Sequence, residues 1–317
     1  MKKILLMLSA ALMIIACSNM NGVGQSNSKY AKELNEKELA AAIKKSINAD
    51  GGDVAVSVKE IKRLDRPAGF SYVEVTISAK DGSQLNKEFF FTDGSYITKD
   101  FGMLNGVPSL AQEIDFDMEK IKSIDVSALS LVMGEEGAKN VIVEITDFQC
   151  PYCKKASQWF ADKLKNRKDT ALYIVHMPLR MHPNAETMAK VFEAGKLMGK
   201  NFSEDLFNSD YISVISDKIA EAQTKNKNLD EKQLNEIVQT FVDTINKEIV
   251  EEYAAKSGNP VKFKEFFNSD EVNAKLEASK SLADFLGVRS TPTVYINGKE
   301  ISGFNESIYE KAIQAFN

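Results

Sequence analysis

The sequence predicts an α/β domain that opens on a βαβ unit and closes on a ββα unit, with a long helical insertion between them and a small α+β domain ahead. Three observations carry this. The apolar runs 129–133, 141–147 and 171–176 read as strands, and a helical pattern over 150–166 lies between the second and third. Residues 184–286 are helical by period: Leu234, Val238, Phe241, Ile245 and Ile249 form one face, and Ser257-Gly258-Asn259-Pro260 breaks the run. Strands over 293–296 and 300–302 then bracket an Asn297-Gly298 turn, and a terminal helix starts at Ser307.

Taken from the start, Met1-Lys2-Lys3 followed by the apolar stretch 4–16 fits a secretory signal and is too short to span a membrane as a helix. Ile14-Ile15-Ala16-Cys17 resembles a bacterial lipobox, which implies cleavage after residue 16 and lipidation of Cys17. Residues 17–29, rich in Ser, Asn and Gly, read as a flexible tether reaching on the order of 20 Å as a coil. The α+β domain is expected over 30–110: Leu39, Ile43 and Ile47 share a helix face, while Val54, Val56, Val58 and then Val73, Val75, Ile77 alternate as half-buried strands. Phe89-Phe90-Phe91 before Asp93-Gly94 adds a strand and a turn. Residues 111–126, with Ile114, Met118 and Ile121 at helical spacing, are expected to form a connecting helix into a catalytic domain over 127–317.

The leader removed, 38 basic residues face 45 acidic ones, and this acidic balance offers no electrostatic footprint for nucleic acid. There are three cysteines in 317 residues. With Cys17 lipidated, the one available disulfide is between Cys150 and Cys153.

Those two cysteines sit in Phe148-Gln149-Cys150-Pro151-Tyr152-Cys153, between a strand and a helix. A cysteine that caps a helix N-terminus faces unpaired N–H groups and the positive end of the dipole, so its pKa falls. Pro151 suits the first turn, where its missing N–H costs little. Cys150 is therefore the expected nucleophile, and Cys153, one turn on, resolves a mixed disulfide. A dipole contribution of about 1–2 kcal/mol shifts a pKa by roughly one unit, so a larger fall requires direct N–H bonds to sulfur. Lys154 and Lys155 read as solvated charges.

Glu144, six residues before Cys150, interrupts a strand expected to be buried on both faces. It is expected either to relay a proton to and from Cys153 or to pair with a lysine at a sheet edge. Ser290-Thr291-Pro292-Thr293 precedes a strand, where proline is out of place unless it caps an edge or is cis. A cis-Pro loop would present the backbone of Thr291 to an extended peptide lying beside Cys150. Thr291 and Pro292, with Pro151 and Tyr152, are the expected substrate contacts.

Three segments in order resemble the DsbA-like thiol:disulfide oxidoreductases: 147–153, then His176-Met177-Pro178-Leu179 with His182-Pro183-Asn184-Ala185, then 287–293 with Ile296-Asn297-Gly298. The likeness covers roughly 127–317. It implies a thioredoxin fold with a helical insertion, Cys150 as attacking cysteine with Cys153 its partner, Thr291-Pro292 as the cis-Pro loop and Glu144 as the buried acid. It implies no prosthetic group. The partners it implies are reduced or misoxidised exported proteins and a membrane redox partner, either a quinone-linked oxidant or a thiol electron donor. Two departures leave the direction of electron flow open: Pro-Tyr stands where the most oxidising members have Pro-His, and Thr precedes the proline as in DsbC- and DsbG-type isomerases. Dimeric isomerases of that type carry a separate dimerisation domain, so the N-terminal domain is expected to dimerise or to hold substrate.

Two metal readings compete. Cys150, Cys153, His176 and His182 have the residue types of a zinc set, but the intervening proline, the preceding strand and the Thr-Pro-Thr segment suit thiol exchange and serve no purpose for zinc. Met177 and Met181, interleaved with the histidines, suit copper. A non-enzymatic surface lipoprotein that binds metal or partners is the further alternative. Met188, Phe192 and Met198 are expected in the core, with a substrate groove as their other possible setting.

Overall fold

The computed structural model describes residues 34–47, 54–65, 67–101, 109–225 and 230–316. The expected signal segment, Cys17 and the tether lie outside the described residues. The chain divides into two compact units between Ile114 and Asp115.

The first unit packs α1 (Glu36–Ile47) on an antiparallel meander of β1 (Ala55–Arg63), β2 (Ser71–Ser78), β3 (Gln84–Thr92) and β4 (Ile97–Thr98). Alternation along β2 sends Val73 and Val75 to one face, where they bury Ile43 of α1 with Val58 and Phe90. Tyr72 points the other way, into a cluster with Phe91, Leu64 and Ile114. Asp93 turns the chain after β3 by accepting the backbone N–H groups of Ser95 and Tyr96, each at 2.8 Å.

The connecting helix is shorter than its periodicity predicts. α2 runs Leu110–Met118 and ends there. Met118 and Ile121 are 50% and 73% exposed, so the apolar spacing that suggested a longer helix marks no buried face. The following backbone is taken up elsewhere: Lys122 N donates to Gly298 O at 2.8 Å, and Lys122 Nζ pairs with Glu300 at 2.6 Å. Gly298 permits this approach, because a Cβ there would lie 2.3 Å from the Lys122 carbonyl oxygen.

The second unit is built on a five-stranded sheet of order β5-β7-β6-β8-β9. Its strands are β5 (Ser130–Met133), β6 (Asn140–Thr146), β7 (Thr170–His176), β8 (Thr293–Ile296) and β9 (Lys299–Ser302). β6 and β7 are parallel and joined through α3 (Pro151–Leu164); the other pairings are antiparallel. Between β7 and β8 lie α4 (Ala185–Leu197), α5 (Ser203–Asn208), α6 (Tyr211–Lys225), α7 (Glu231–Ser257), α8 (Pro260–Phe267) and α9 (Asp270–Leu286), and α10 (Glu306–Gln314) ends the chain. This is the predicted α/β thioredoxin topology with its helical insertion.

Ile142, Leu172 and Val294 pack against Phe160 of α3 and Tyr309 of α10, whereas Val143, Tyr173 and Tyr295 pack with Ala283 of α9. The insertion has its own core, in which Ile245 and Ile249 of α7 meet Met188 and Phe192. Met188 and Phe192 are fully buried and line no groove. α7 starts at a reciprocal Asp230–Gln233 capping box and stops at Gly258, whose φ of 82° ends the helix where the sequence breaks its period.

Candidate active site

Cys150 is the N-cap residue of α3, in extended conformation with Pro151 in the first turn. Its own N–H is held by the Asp147 carbonyl at 3.0 Å. The side chain does not cap the helix in the usual way; instead the thiol donates to the Thr291 carbonyl oxygen at 3.6 Å. The Thr291–Pro292 peptide bond is cis. Cys150 is 5% exposed, Cys153 is sealed at 0%, and both are free thiols.

The two thiols differ sharply in acidity. The hydrogen bond from the Cys153 thiol, aided by the Thr291 side chain and the N–H groups of Cys153 and Tyr152, outweighs burial and pulls Cys150 down to about 5. Burial first, then the bond to Cys150 and the nearby Glu144, push Cys153 far above the ordinary thiol range. The lowered value favours the thiolate at Cys150, and the raised one keeps Cys153 a protonated donor to it. The Thr291 hydroxyl is buried and makes no other hydrogen bond among the described residues, which leaves it available to the ionised sulfur.

Glu144 lies on β6, between β7 and β8, and is 1% exposed. It is no edge acid, and its partner is the Thr146 hydroxyl at 2.9 Å rather than a lysine. Burial chiefly, with the Cys150 charge in the same direction, pushes its carboxyl up to about 8 against the Thr146 bond. Tyr309 of α10 is buried nearby: its hydroxyl donates to Gly303 O at 2.9 Å, and burial followed by Glu144 and Cys153 raises its pKa.

Around the dithiol lies a polar scaffold assembled from residues far apart in the chain. Asp147, 3% exposed, accepts from Gln149 N at 2.7 Å and Leu179 N at 2.8 Å, and its Oδ2 lies 2.7 Å from His182 Nδ1. Gln149 accepts from Asn184 N at 2.7 Å and donates to its side chain at 3.3 Å; Asn184 in turn donates to Asn246 of α7 at 2.9 Å. Deeper in, His176 Nε2 lies 2.7 Å from Glu193, which accepts from Ser130 at 2.6 Å. The histidines of the zinc and copper readings are thus held by separate carboxylates. Among the described residues, no group of three or more His, Cys, Asp or Glu is arranged to hold a metal. The sequence signal that was available was Asp147 and Gln149 just before the CxxC, with His182 and Asn184 in the separate segment 182–185.

Tyr152 is 57% exposed beside Cys150, with Lys155 Nζ 5.2 Å above its ring.

Comparison with known proteins gives two kinds of likeness. Among curated sequences, the chain is 37% identical over 81 residues to Na(+)/H(+) antiporter NhaA 1 of Mycolicibacterium vanbaalenii, covering 24% of this chain and 13% of that protein. It is 25% identical over 185 residues to the antiporter of the same name from Mycolicibacterium gilvum, covering 54% of this chain and 24% of that protein. The chain thus spans a quarter or less of these relatives' lengths, and no described helix is long and apolar enough to cross a membrane. Among solved structures it is similar to a thioredoxin-like oxidoreductase from Silicibacter pomeroyi DSS-3, with 17% identity, 59% of this chain and 91% of that one covered, and a TM-score of 0.42. It is also similar to oxidised BdbD from Bacillus subtilis, with 18% identity, 62% and 97% covered, and a TM-score of 0.36. Wolbachia pipientis alpha-DsbA1 gives 19% identity, 60% and 90% covered, and a TM-score of 0.41. A family model described as thioredoxin matches residues 127–315, more than half of the chain and most of the unit that carries the dithiol, and the chain therefore belongs to the thioredoxin family.

Proposed function

We propose that this protein is an exported thiol:disulfide oxidoreductase that donates disulfides to folding proteins of the cell envelope through Cys150-Pro151-Tyr152-Cys153. The observation that carries the reading is the opposed acidity of two adjacent thiols, one pulled down to about 5 and the other sealed and pushed up. A stable thiolate in the reduced form favours giving the disulfide away.

In that direction a substrate thiolate attacks Cys150 Sγ. A Cys150–substrate bond forms, the Cys150–Cys153 bond breaks, and Cys153 leaves with the electron pair and takes up a proton. Glu144, protonated near neutral pH and close enough to act on Cys153, is the donor beneath it. A second substrate thiolate then attacks the substrate sulfur and releases Cys150 as a thiolate, so the substrate loses two electrons and the protein gains them. Thr291 and Pro292, with Pro151 and Tyr152, border the sulfur and form the substrate contacts in this reading. A membrane quinone-linked partner reoxidises the pair.

The charged start, the apolar stretch 4–16 and the lipobox-like Ile14-Ile15-Ala16-Cys17 support export and lipid anchoring through Cys17 to the envelope. In this reading the N-terminal unit dimerises or holds substrate, and a monomer in light scattering at micromolar concentration would remove the dimer. A second direction, isomerase or reductase, is favoured by Thr291 before the proline and by that extra unit. The deciding experiment is the resting redox state of Cys150 and Cys153 in the native envelope, by acid quenching and a mass-adding thiol label. A mostly oxidised pair is expected. A mostly reduced, reactive pair makes the protein an isomerase or reductase, and a Cys150→Ser protein that retains exchange activity overturns thiol chemistry altogether.

A further inference from the structure

Three segments are tied to the turn that carries Cys150, and their exposed side chains are of two kinds. The start of α3 carries exposed Tyr152, then Lys154 and Lys155. The loop between β7 and α4 carries Arg180 and Met181, the latter 79% exposed, held between two bonds to Asp147: one from Leu179 N and one to His182. Asp147 holds Cys150 N, so this loop is tied directly to the nucleophile's turn. The turn before β8 carries exposed Arg289, two residues before the Thr291 carbonyl that meets the thiol.

The charges on these segments do not cancel. Among the described residues no ion pair engages Lys154, Lys155 or Arg180, and Arg289 pairs only with exposed Asp284, at 3.6 Å. Of the other acids on the same segments, Asp147 is buried and bonded within its loop, which leaves Glu186 in the first turn of α4. Unpaired cations therefore outnumber unpaired acids on these segments, in a chain whose formal charge is −5. Large apolar groups left bare beside a reactive atom mark a contact surface, and like charges gathered there select the sign of the partner.

We propose that the rim formed by Tyr152, Lys154, Lys155, Arg180 and Met181 selects client cysteines that lie in extended acidic segments, with apolar residues of the segment seated on Tyr152 and Met181. This rests on the oxidoreductase reading above and names its substrate class.

The test uses the reduced full-length protein and three peptides that differ only in the residues beside one cysteine: acidic, serine or lysine. Each peptide is presented as its neutral pyridyl disulfide. Cys150 thiolate attacks the peptide sulfur, the peptide–pyridyl S–S bond breaks, and thiopyridone leaves with the electron pair and a proton. Cys153 then attacks Cys150 and frees the peptide thiol, so two electrons pass from the dithiol to the peptide disulfide. Each rate is divided by that of the same peptide with dithiothreitol, which removes flanking effects on the peptide sulfur itself. At low ionic strength the acidic peptide is expected to react about tenfold faster than the lysine peptide, and the gap is expected to close at high salt. In a Lys155→Glu, Arg180→Glu protein, checked for native circular dichroism, the order is expected to invert. Equal normalised rates, or a preference that survives both salt and charge reversal, overturn the proposal while leaving the oxidoreductase reading intact. Failure of all three peptides to react overturns both.

Discussion

The Cys150 thiol and the Thr291 carbonyl meet at 3.6 Å although 141 residues separate them in the chain. The same threonine brings a buried hydroxyl with no other partner among the described residues to the sulfur. One residue thus orients the thiol through its backbone and stabilises the thiolate through its side chain.

Thr291→Val removes that hydroxyl at nearly constant volume. A hydrogen bond to a charged group contributes about 1.5 kcal/mol, so the Cys150 pKa is expected to rise by about one unit from its value near 5. Thiolate ultraviolet absorbance of the reduced protein against pH reads this directly. An unmoved midpoint would mean that the helix N–H groups and Cys153 suffice.

Glu144 makes stability depend on pH in a way that the redox state changes. Its folded pKa of about 8 exceeds the ordinary carboxyl value of 4.5, so between these pH values the folded state binds the proton more tightly than the unfolded state does. Stability attributable to Glu144 is therefore present at low pH and falls as pH rises through that window, by at most about 1.4 kcal/mol per pH unit. Cys150 has the opposite sign: a depressed pKa adds stability that is lost as pH falls through about 5. Oxidised protein lacks the thiolate and keeps only the decline. Chemical denaturation from pH 5 to 8 is expected to show the decline in oxidised protein, near-cancellation in reduced protein, and a flat oxidised profile in Glu144→Gln. A slope in the oxidised protein that survives Glu144→Gln excludes this carboxyl as its source.

Asn246 is the point where the insertion grips the Cys150 turn, because Asn184 donates to it at 2.9 Å and also engages Gln149 beside Cys150. Asn246→Ala leaves a buried donor of Asn184 unpaired and is expected to cost about 1–3 kcal/mol, whereas Asn246→Asp keeps the acceptor and most of that stability. Urea midpoints of the two variants decide the matter, and equal losses would show that position 246 matters through packing alone.

What was legible in the sequence was local. The apolar runs that became β6 and β7, the break at Gly258 and the Cys150-Pro151-Tyr152-Cys153 turn all depend on neighbours within a few residues. What was not legible depends on distant partners. Helix α2 stops at Met118, and the backbone beyond it is claimed by Gly298, far along the chain. Asp147 finds His182, and Asn184 finds Asn246, through pairings that no periodicity encodes. Glu144 stood out because a charge in an apolar strand breaks a local pattern; Glu193 sits in a helix, where an acid breaks none.

Glu193 carries the remaining prediction. It is 2% exposed and accepts from Ser130, with His176 Nε2 at 2.7 Å and Lys275 Nζ at 3.8 Å. Burial would raise its pKa, but the His176 bond and charge, with Ser130 and Lys275, prevail and hold the carboxyl below its ordinary value. Its stabilisation is present above the unfolded carboxyl pKa and is lost as pH falls through the lowered folded value. Removing one member of a buried pair strands the other, so Glu193→Ala is expected to cost about 3–5 kcal/mol. His176 rests 5.9 Å from the Phe148 ring, two residues before Cys150. If the pair only stabilises the fold, the Cys150 titration midpoint stays put in folded Glu193→Gln protein. A midpoint that moves with Glu193→Gln would instead make His176 a positioning residue for the thiolate, acting through Phe148.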